Sequence, residues 1–185
     1  MQDPYAIVVV DVWDTKNLAN KNLVNIYEQM TQRICKLITC LPNKHQNRVL
    51  ICNYNTEMYC LHPNLKSVIY DYSANRYLRY SLHTDDQSEA IAWLNDNNIK
   101  KLYYTGSSMP GCVSDRPMGM KNMPDSFEKS VVLDAISLIT AFDHHSDWAV
   151  LHYMYQTSIE LSKTYGWEIT WTDQILNNRD KIKCV

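Results

Sequence analysis

Two side chains in this sequence stand where chemistry is possible. Asp11 ends the run "YAIVVVD", and Cys112 follows "KKLYYTGSSMPG". A thiol at the start of a helix faces unpaired amides and the positive end of the helix dipole, which favour the thiolate. The small residues of "GSSMPG" let the backbone approach closely and aim amides at one point, as an oxyanion hole for acyl transfer requires. An aspartate beside the thiol is able to accept its proton. Each residue also has a plain structural reading: a cysteine at a strand–helix junction packs, and an aspartate after a first strand caps a loop. The chain has four glycines in 185 residues, and two of them, Gly106 and Gly111, bracket this serine-rich loop.

These residues need a scaffold, and the pattern along the chain supplies one. "YAIVVV" (5–10) and "RVLIC" (48–52) read as strands covered on both faces. Between them, Leu23, Ile26, Met30, Ile34, Leu37, Ile38 and Leu41 recur at three- and four-residue intervals, an amphipathic helix stopped by Pro42. "SVIY" (67–70) is expected as a short strand, and Thr84 with Gln87 has the spacing of a capping box opening the next helix. "KLYYT" (101–105) is a strand, followed by a helix from about Cys112. "SVVLDA" (130–135) is a further strand. A helix from about Ser146 to Tyr165 with Gly166 as its cap, and a last strand "WEITW" (167–171), complete the series. Alternating strands and helices imply a three-layer α/β/α architecture of Rossmann type. Its central sheet would have about six mostly parallel strands. Residues 1–185 read as one domain, with no repeat or linker.

Bulk properties narrow the function. A net charge of −2 gives no reason to expect a polyanionic partner, so no nucleic acid is expected. The tyrosines interleaved with Arg76 and Arg79 in "YDYSANRYLRY" read as a pocket wall or subunit contact. The apolar run Ala6–Val10 is too short for a signal peptide or a membrane span. No membrane association and a cytoplasmic location are expected. The six cysteines contain no CxxC pair and read as free thiols. No G-x-G-x-x-G or Walker pattern occurs, which weighs against a nucleotide-binding domain.

Taken together, "VVVDVWD" and "NIKKLYYTGSSMPGCVSDRPMGMKNM" resemble the isochorismatase-like cysteine hydrolases. That superfamily has an apolar strand ending in aspartate. A later strand is followed by glycine, a short small-residue loop and a Cys-Val pair. One branch continues with an Arg-Pro/Ser-x-Gly-x-x-x-Met pattern, here Arg116, Pro117, Gly119 and Met123. The resemblance implies hydrolysis of a C–N or C–O bond in a small molecule, with Cys112 as nucleophile and Asp11 as general base. It also implies an oxyanion hole from the amides of Ser108 and Cys112, and a cis peptide between Ser107 and Ser108. Trp13, Tyr70, Tyr72 and Ser107 would line the substrate pocket, and the protein would form a homo-oligomer.

The sequence departs from the family in two places. The family's lysine begins the segment after the third strand, but "SVIYDYSANRY" has Tyr70 or Asp71 near that position. Lys66, Arg76 and Arg79 are the candidate substitutes, although an arginine supplies charge without shuttling a proton. The metal-binding Asp-x-His of nicotinamidases is also missing. "CNYNTEMYCLH" offers Asn53, Asn55, Glu57 and His62, and His144 and His145 are assigned no metal, so neither a metal nor another cofactor is expected. The alternative is a catalytically inactive relative acting as a binding or scaffold protein. A cation within reach of the Cys112 sulfur would favour the enzyme; Tyr70 and Asp71 there without a cation would favour the relative.

Overall fold

In the computed structural model, which describes residues 4–17, 24–40, 47–53, 61–71, 76–77, 81–137 and 147–177, the run "YAIVVV" is the central strand β1 (Tyr5–Val10), buried at every position. It pairs in parallel with β2 (Asn47–Cys52) on one side and β6 (Lys101–Ser107) on the other. β5 (Ser81–His83) extends the sheet beyond β2, and β7 (Glu128–Ser137) and β8 (Glu168–Thr170) extend it beyond β6. The order is β5-β2-β1-β6-β7-β8, six strands with every pairing parallel. A parallel interior strand is covered on both faces, so its sequence is apolar throughout rather than alternating.

Two cores result, one on each face of the sheet. On the first, α1 (Val24–Thr39) buries Tyr27, Met30, Ile34 and Leu37, and α2 (Pro63–Ile69) and α6 (Thr172–Asn177) add Leu65, Ile69 and Ile175. On the second, α3 (Gln87–Asp96) adds Ala90 and Leu94, α4 (Cys112–Asp115) adds Val113, and α5 (Asp147–Tyr165) adds Val150 and Met154. This is the expected three-layer α/β/α arrangement. Gly166, at φ +69°, ends α5 in the left-handed conformation that glycine adopts freely.

Two local readings need correction. Residues 67–69 are the last turn of α2, and only Tyr70–Asp71 is extended, as β3, in a two-stranded antiparallel ribbon with β4 (Arg76–Tyr77) outside the main sheet. The helix is nucleated by signals upstream of the apolar run. Pro63 occupies its first turn, and the His62 side chain accepts from the Asn64 amide at 3.2 Å. The third strand of the main sheet is instead β5. The cap of α3 is Asp86, whose carboxylate accepts from the Ser88 and Glu89 amides at 2.7 and 3.3 Å. Thr84, expected as the cap, accepts from the Asp86 amide at 3.0 Å and bonds Glu89.

The topology selects a place for chemistry. From β1 the chain moves outward through β2 to β5 on one side, and later through β6, β7 and β8 on the other. The strand order therefore reverses between β1 and β6, and open α/β sheets bind ligands in the crevice at the carboxyl end of such a pair. Val10 is in register with Gly106, so Asp11 and the Ser107–Cys112 segment both leave the sheet at that crevice. Gly106 is required there: a Cβ would lie 2.0 Å from the Val10 carbonyl oxygen, and its φ is +105°.

Candidate active site

Asp11 leaves β1 with φ +47°, a left-handed conformation that few non-glycine residues adopt. Hydrogen bonds fix this turn from several directions. The Asp11 amide donates to the Cys52 carbonyl at 3.1 Å, the Val12 amide to Asn53 Oδ1 at 3.1 Å, and the His62 amide to the Val12 carbonyl at 3.0 Å. The fully buried Tyr27 hydroxyl donates to the Asp11 carbonyl at 3.0 Å and accepts from the Trp13 amide at 2.6 Å. The carboxylate is thereby held at the sheet edge, with only 1% of the side chain exposed.

The segment carrying the thiol is fixed as closely. The Ser107–Ser108 and Met109–Pro110 peptides are both cis. The Met109 amide donates to the Ser137 carbonyl at 3.0 Å, tying the loop to β7. The Val113 amide donates to the Ser108 carbonyl at 3.1 Å, and Gly111 turns at φ +123° into the single turn of α4. Behind the loop, Met109, Met118, Met120 and Met123 are buried, and Cys52 Sγ lies 3.5 Å from Met118 Sδ.

These constraints bring Asp11 and Cys112 together. The half-buried Cys112 thiol faces the Asp11 carboxylate, with Arg116 and the Ser108 amide also acting on it. Burial raises the thiol above its ordinary titration range, and the neighbouring Asp11 carboxylate pushes the same way. Arg116 and the Ser108 amide oppose the rise without cancelling it. Burial and the facing carboxylate thus work against the thiolate that a helix N-terminus would favour. The reason is geometric: α4 has four residues, so its dipole is small beside desolvation and a facing carboxylate.

The cation at the site is Arg116, the residue capping the C-terminal end of α4. Its Nε and Nη2 each lie 3.2 Å from Asp11 Oδ2, and its charge also acts on the Cys112 thiol. Burial works against its charge, but Asp11 and Cys112 outweigh that and hold it above its ordinary range. None of the three candidate substitutes for the family lysine was this residue. Lys66 lies on α2 with Nζ 5.4 Å from the Tyr70 ring centre, and it is not among the groups acting on the thiol. Arg76 contributes backbone to β4, while Arg79 lies outside the described residues. A signal for Arg116 was present in the sequence: it follows Cys112 by four residues, the spacing that puts two side chains on one helical face.

The other expected site residues are placed as follows. Trp13 is half-buried, two residues past Asp11, and bridges to Leu61. Tyr70 is half-buried under Lys66, and Tyr72 lies outside the described residues. Ser107 is fully buried at the end of β6, and among the described residues its hydroxyl has no hydrogen-bond partner. Its register partner on β7, Ser137, is in the same condition. Among the described residues no cluster of three potential metal ligands occurs. Asn53 braces the Val12 amide. His62 accepts the Asn64 amide at Nδ1, so its Nε2 carries the hydrogen and donates to Glu28 at 3.1 Å. Asn55, Glu57, His144 and His145 lie outside the described residues.

Neither a protein-family model nor the sequence of a curated protein matches this chain. Solved structures do match. An isochorismatase-like hydrolase from Alkaliphilus metalliredigens superposes with a TM-score of 0.65 at 11% identity, over 95% of this chain and 98% of that one. A ribonuclease from Caenorhabditis elegans gives 0.60 at 14% identity, over 94% and 79%. A nicotinamidase from Bacillus subtilis gives 0.60 at 13% identity, over 90% and 98%. The fold of this chain is the isochorismatase-like fold.

Proposed function

We propose that this protein is an isochorismatase-like cysteine hydrolase that cleaves a C–N or C–O bond of a small molecule through a covalent Cys112 intermediate. The observation that carries the reading is the buried Asp11 carboxylate, paired with Arg116 and set beside the Cys112 thiol, at the crevice between β1 and β6. A thiol beside a carboxylate is poised for general-base attack. As sulfur bonds to the substrate carbonyl carbon, its proton passes to Asp11. The oxygen that gains charge is received by the amides of Ser108 and Cys112. Asp11 then returns the proton to the departing nitrogen or oxygen as the bond to it breaks. Water attacks the resulting thioester, giving a proton to Asp11 and releasing the acid, and the thiol is restored.

A second reading has one observation in its favour: the segment after the third strand β5 is Thr84-Asp85-Asp86, with no lysine. On that reading the chain is a binding relative without turnover. The likeness to a ribonuclease adds no polyanion-binding argument, because the net charge is −2.

The experiment is a panel of small amides and esters incubated with the native protein and with Cys112→Ala, followed by product release and intact mass. The hydrolase reading expects turnover, and an acyl adduct mapping to Cys112, with both lost in the variant. Turnover unchanged in Cys112→Ala, or neither turnover nor adduct across the panel, would sink it.

A further inference from the structure

We propose that Arg116 is the cationic member of the catalytic group, taking from the helix after the nucleophile the place of a lysine that this chain lacks after its third strand; the inference rests on the cysteine-hydrolase reading. Three observations carry it. Both Nε and Nη2 contact Asp11 Oδ2 at 3.2 Å, and the charge of the same guanidinium acts on the Cys112 thiol, so Arg116 is coupled to both reacting side chains. Asp11 is nearly inaccessible, and a carboxylate removed from water needs a paired charge. The third observation is that the arginine is built in rather than draped over the surface.

The turn Arg116-Pro117-Met118-Gly119 shows how. The Gly119 amide donates to the Arg116 carbonyl at 2.7 Å. A Cβ on Gly119 would lie 2.7 Å from the Ser114 carbonyl group and 2.9 Å from the Arg116 nitrogen, so only glycine closes the turn this tightly. Asn122 Nδ2 donates to the Asp115 and Arg116 carbonyls at 2.9 Å each, and Gln87 Nε2 on α3 donates to the Pro117 and Asn122 carbonyls. Backbone on both sides of Arg116 is thus anchored, and its side chain is directed back over the turn that begins at Cys112.

The chemical consequence differs from that of a lysine. A guanidinium remains protonated throughout the working range and transfers no proton. Asp11 is then the sole proton carrier of the three, taking the proton from sulfur and delivering it to the leaving group. Arg116 supplies fixed positive charge to the carboxylate and to the sulfur as it loses its proton. The groups facing Cys112 are Asp11 from β1, Arg116 from α4 and Tyr27 from α1, with Cys52 of β2 facing Asp11.

The test reads the thiol directly and needs no substrate. Alkylation of Cys112 is followed against pH by peptide mass spectrometry in the native protein, Arg116→Gln, Arg116→Lys, Lys66→Gln, Arg76→Gln and Arg79→Gln. Removing a cation beside a thiol is worth about one or more units of titration, hence roughly a tenfold or greater fall in alkylation rate at pH 8. Arg116→Gln is expected to show that fall and Arg116→Lys to recover most of it, while the other three stay within about twofold of native. Because Arg116→Gln leaves Asp11 buried without its partner, the pair Asp11→Asn and Asp11→Asn/Arg116→Gln repeats the comparison with no orphaned charge. The double variant is again expected to alkylate about tenfold more slowly than the single one. Superimposable profiles in both comparisons, or a shift in Arg76→Gln or Arg79→Gln instead, would overturn the assignment. A shift in Arg116→Gln with no turnover by native protein fails the hydrolase reading alone. Turnover by native protein with unshifted Arg116 profiles fails this inference alone.

Discussion

Tyr27→Phe is the substitution that best tests how the Asp11 turn is held. The phenyl ring keeps the burial of the native side chain, which is 1% exposed, so apolar packing on α1 is conserved and only the hydroxyl is lost. That hydroxyl makes two bonds, one given to the Asp11 carbonyl in a buried setting and one accepted from the partly buried Trp13 amide. A net hydrogen bond is worth about 1 kcal/mol, and a buried group left unsatisfied costs roughly 1–3 kcal/mol. Water reaches the Trp13 amide more readily than the Asp11 carbonyl, so the sum is expected near 2–3 kcal/mol. For a chain of this length each kcal/mol moves the melting midpoint by roughly 2–4 °C, giving a fall of about 5–10 °C. Urea unfolding should show a lower midpoint with an unchanged slope, the mark of a stability change without a change in exposed surface. A loss under about 0.5 kcal/mol would refute the reasoning. It would mean that the bonds through Cys52, Asn53 and His62 hold the turn without the hydroxyl.

Two further outcomes follow from other parts of the molecule. Gly106→Ala would set a methyl group 2.0 Å from the Val10 carbonyl oxygen at φ +105° and force β1 and β6 apart. A loss above about 3 kcal/mol, or failure to accumulate as soluble protein, is expected in expression and unfolding assays, and near-native stability would contradict the close approach. Glu168 is held below the usual carboxylate range by hydrogen bonds from Lys101 and then Ser130, the latter at 2.7 Å. A lowered folded value means that the unfolded chain binds more protons on acidification. This contribution is therefore complete at neutral pH, above the unfolded titration, and is lost as pH falls through the folded one. The carboxylate is largely exposed, so the effect is expected under about 1 kcal/mol. Native protein should lose slightly more stability than Lys101→Met between pH 7 and pH 3, and equal losses would show that the pair contributes nothing.

What the sequence revealed follows from how each element is stabilised. The buried parallel strands announce themselves as unbroken β-branched runs, and α1 as a periodic stripe, because burial on two faces or one leaves those patterns. β5 escaped notice because "SLH" is three half-buried residues at a sheet edge, with little apolar content. "SVIY" was read as a strand because four apolar-rich residues do not distinguish strand from helix, and the deciding signal, His62-Pro63, lies upstream. That misreading carried over to the site. A third strand at 67–70 puts Lys66, Arg76 and Arg79 nearest the expected cation position, whereas the structure sets Arg116 beside Asp11. Asp11 and Cys112 were legible because each directly follows a strand of the central pair. Arg116 carries a weaker signal: its four-residue spacing from Cys112 puts it near the thiol, but "DRPMG" reads as a turn, and only the structure shows that turn folding its charge over Asp11.

Four of the chain's eight methionines fall between residues 109 and 123, and all four are buried beneath the segment that carries Cys112. Thioether side chains are unbranched and repack at low cost, so Cys112 rests on a yielding bed although its backbone is tightly bonded. A group attached to the sulfur is therefore accommodated by rotamer changes below the loop rather than by displacement of the sheet. Sulfur also brings a liability. Converting one of these thioethers to a sulfoxide would place a strong dipole where no water solvates it, so oxidative damage at the loop's foundation would be felt at Cys112.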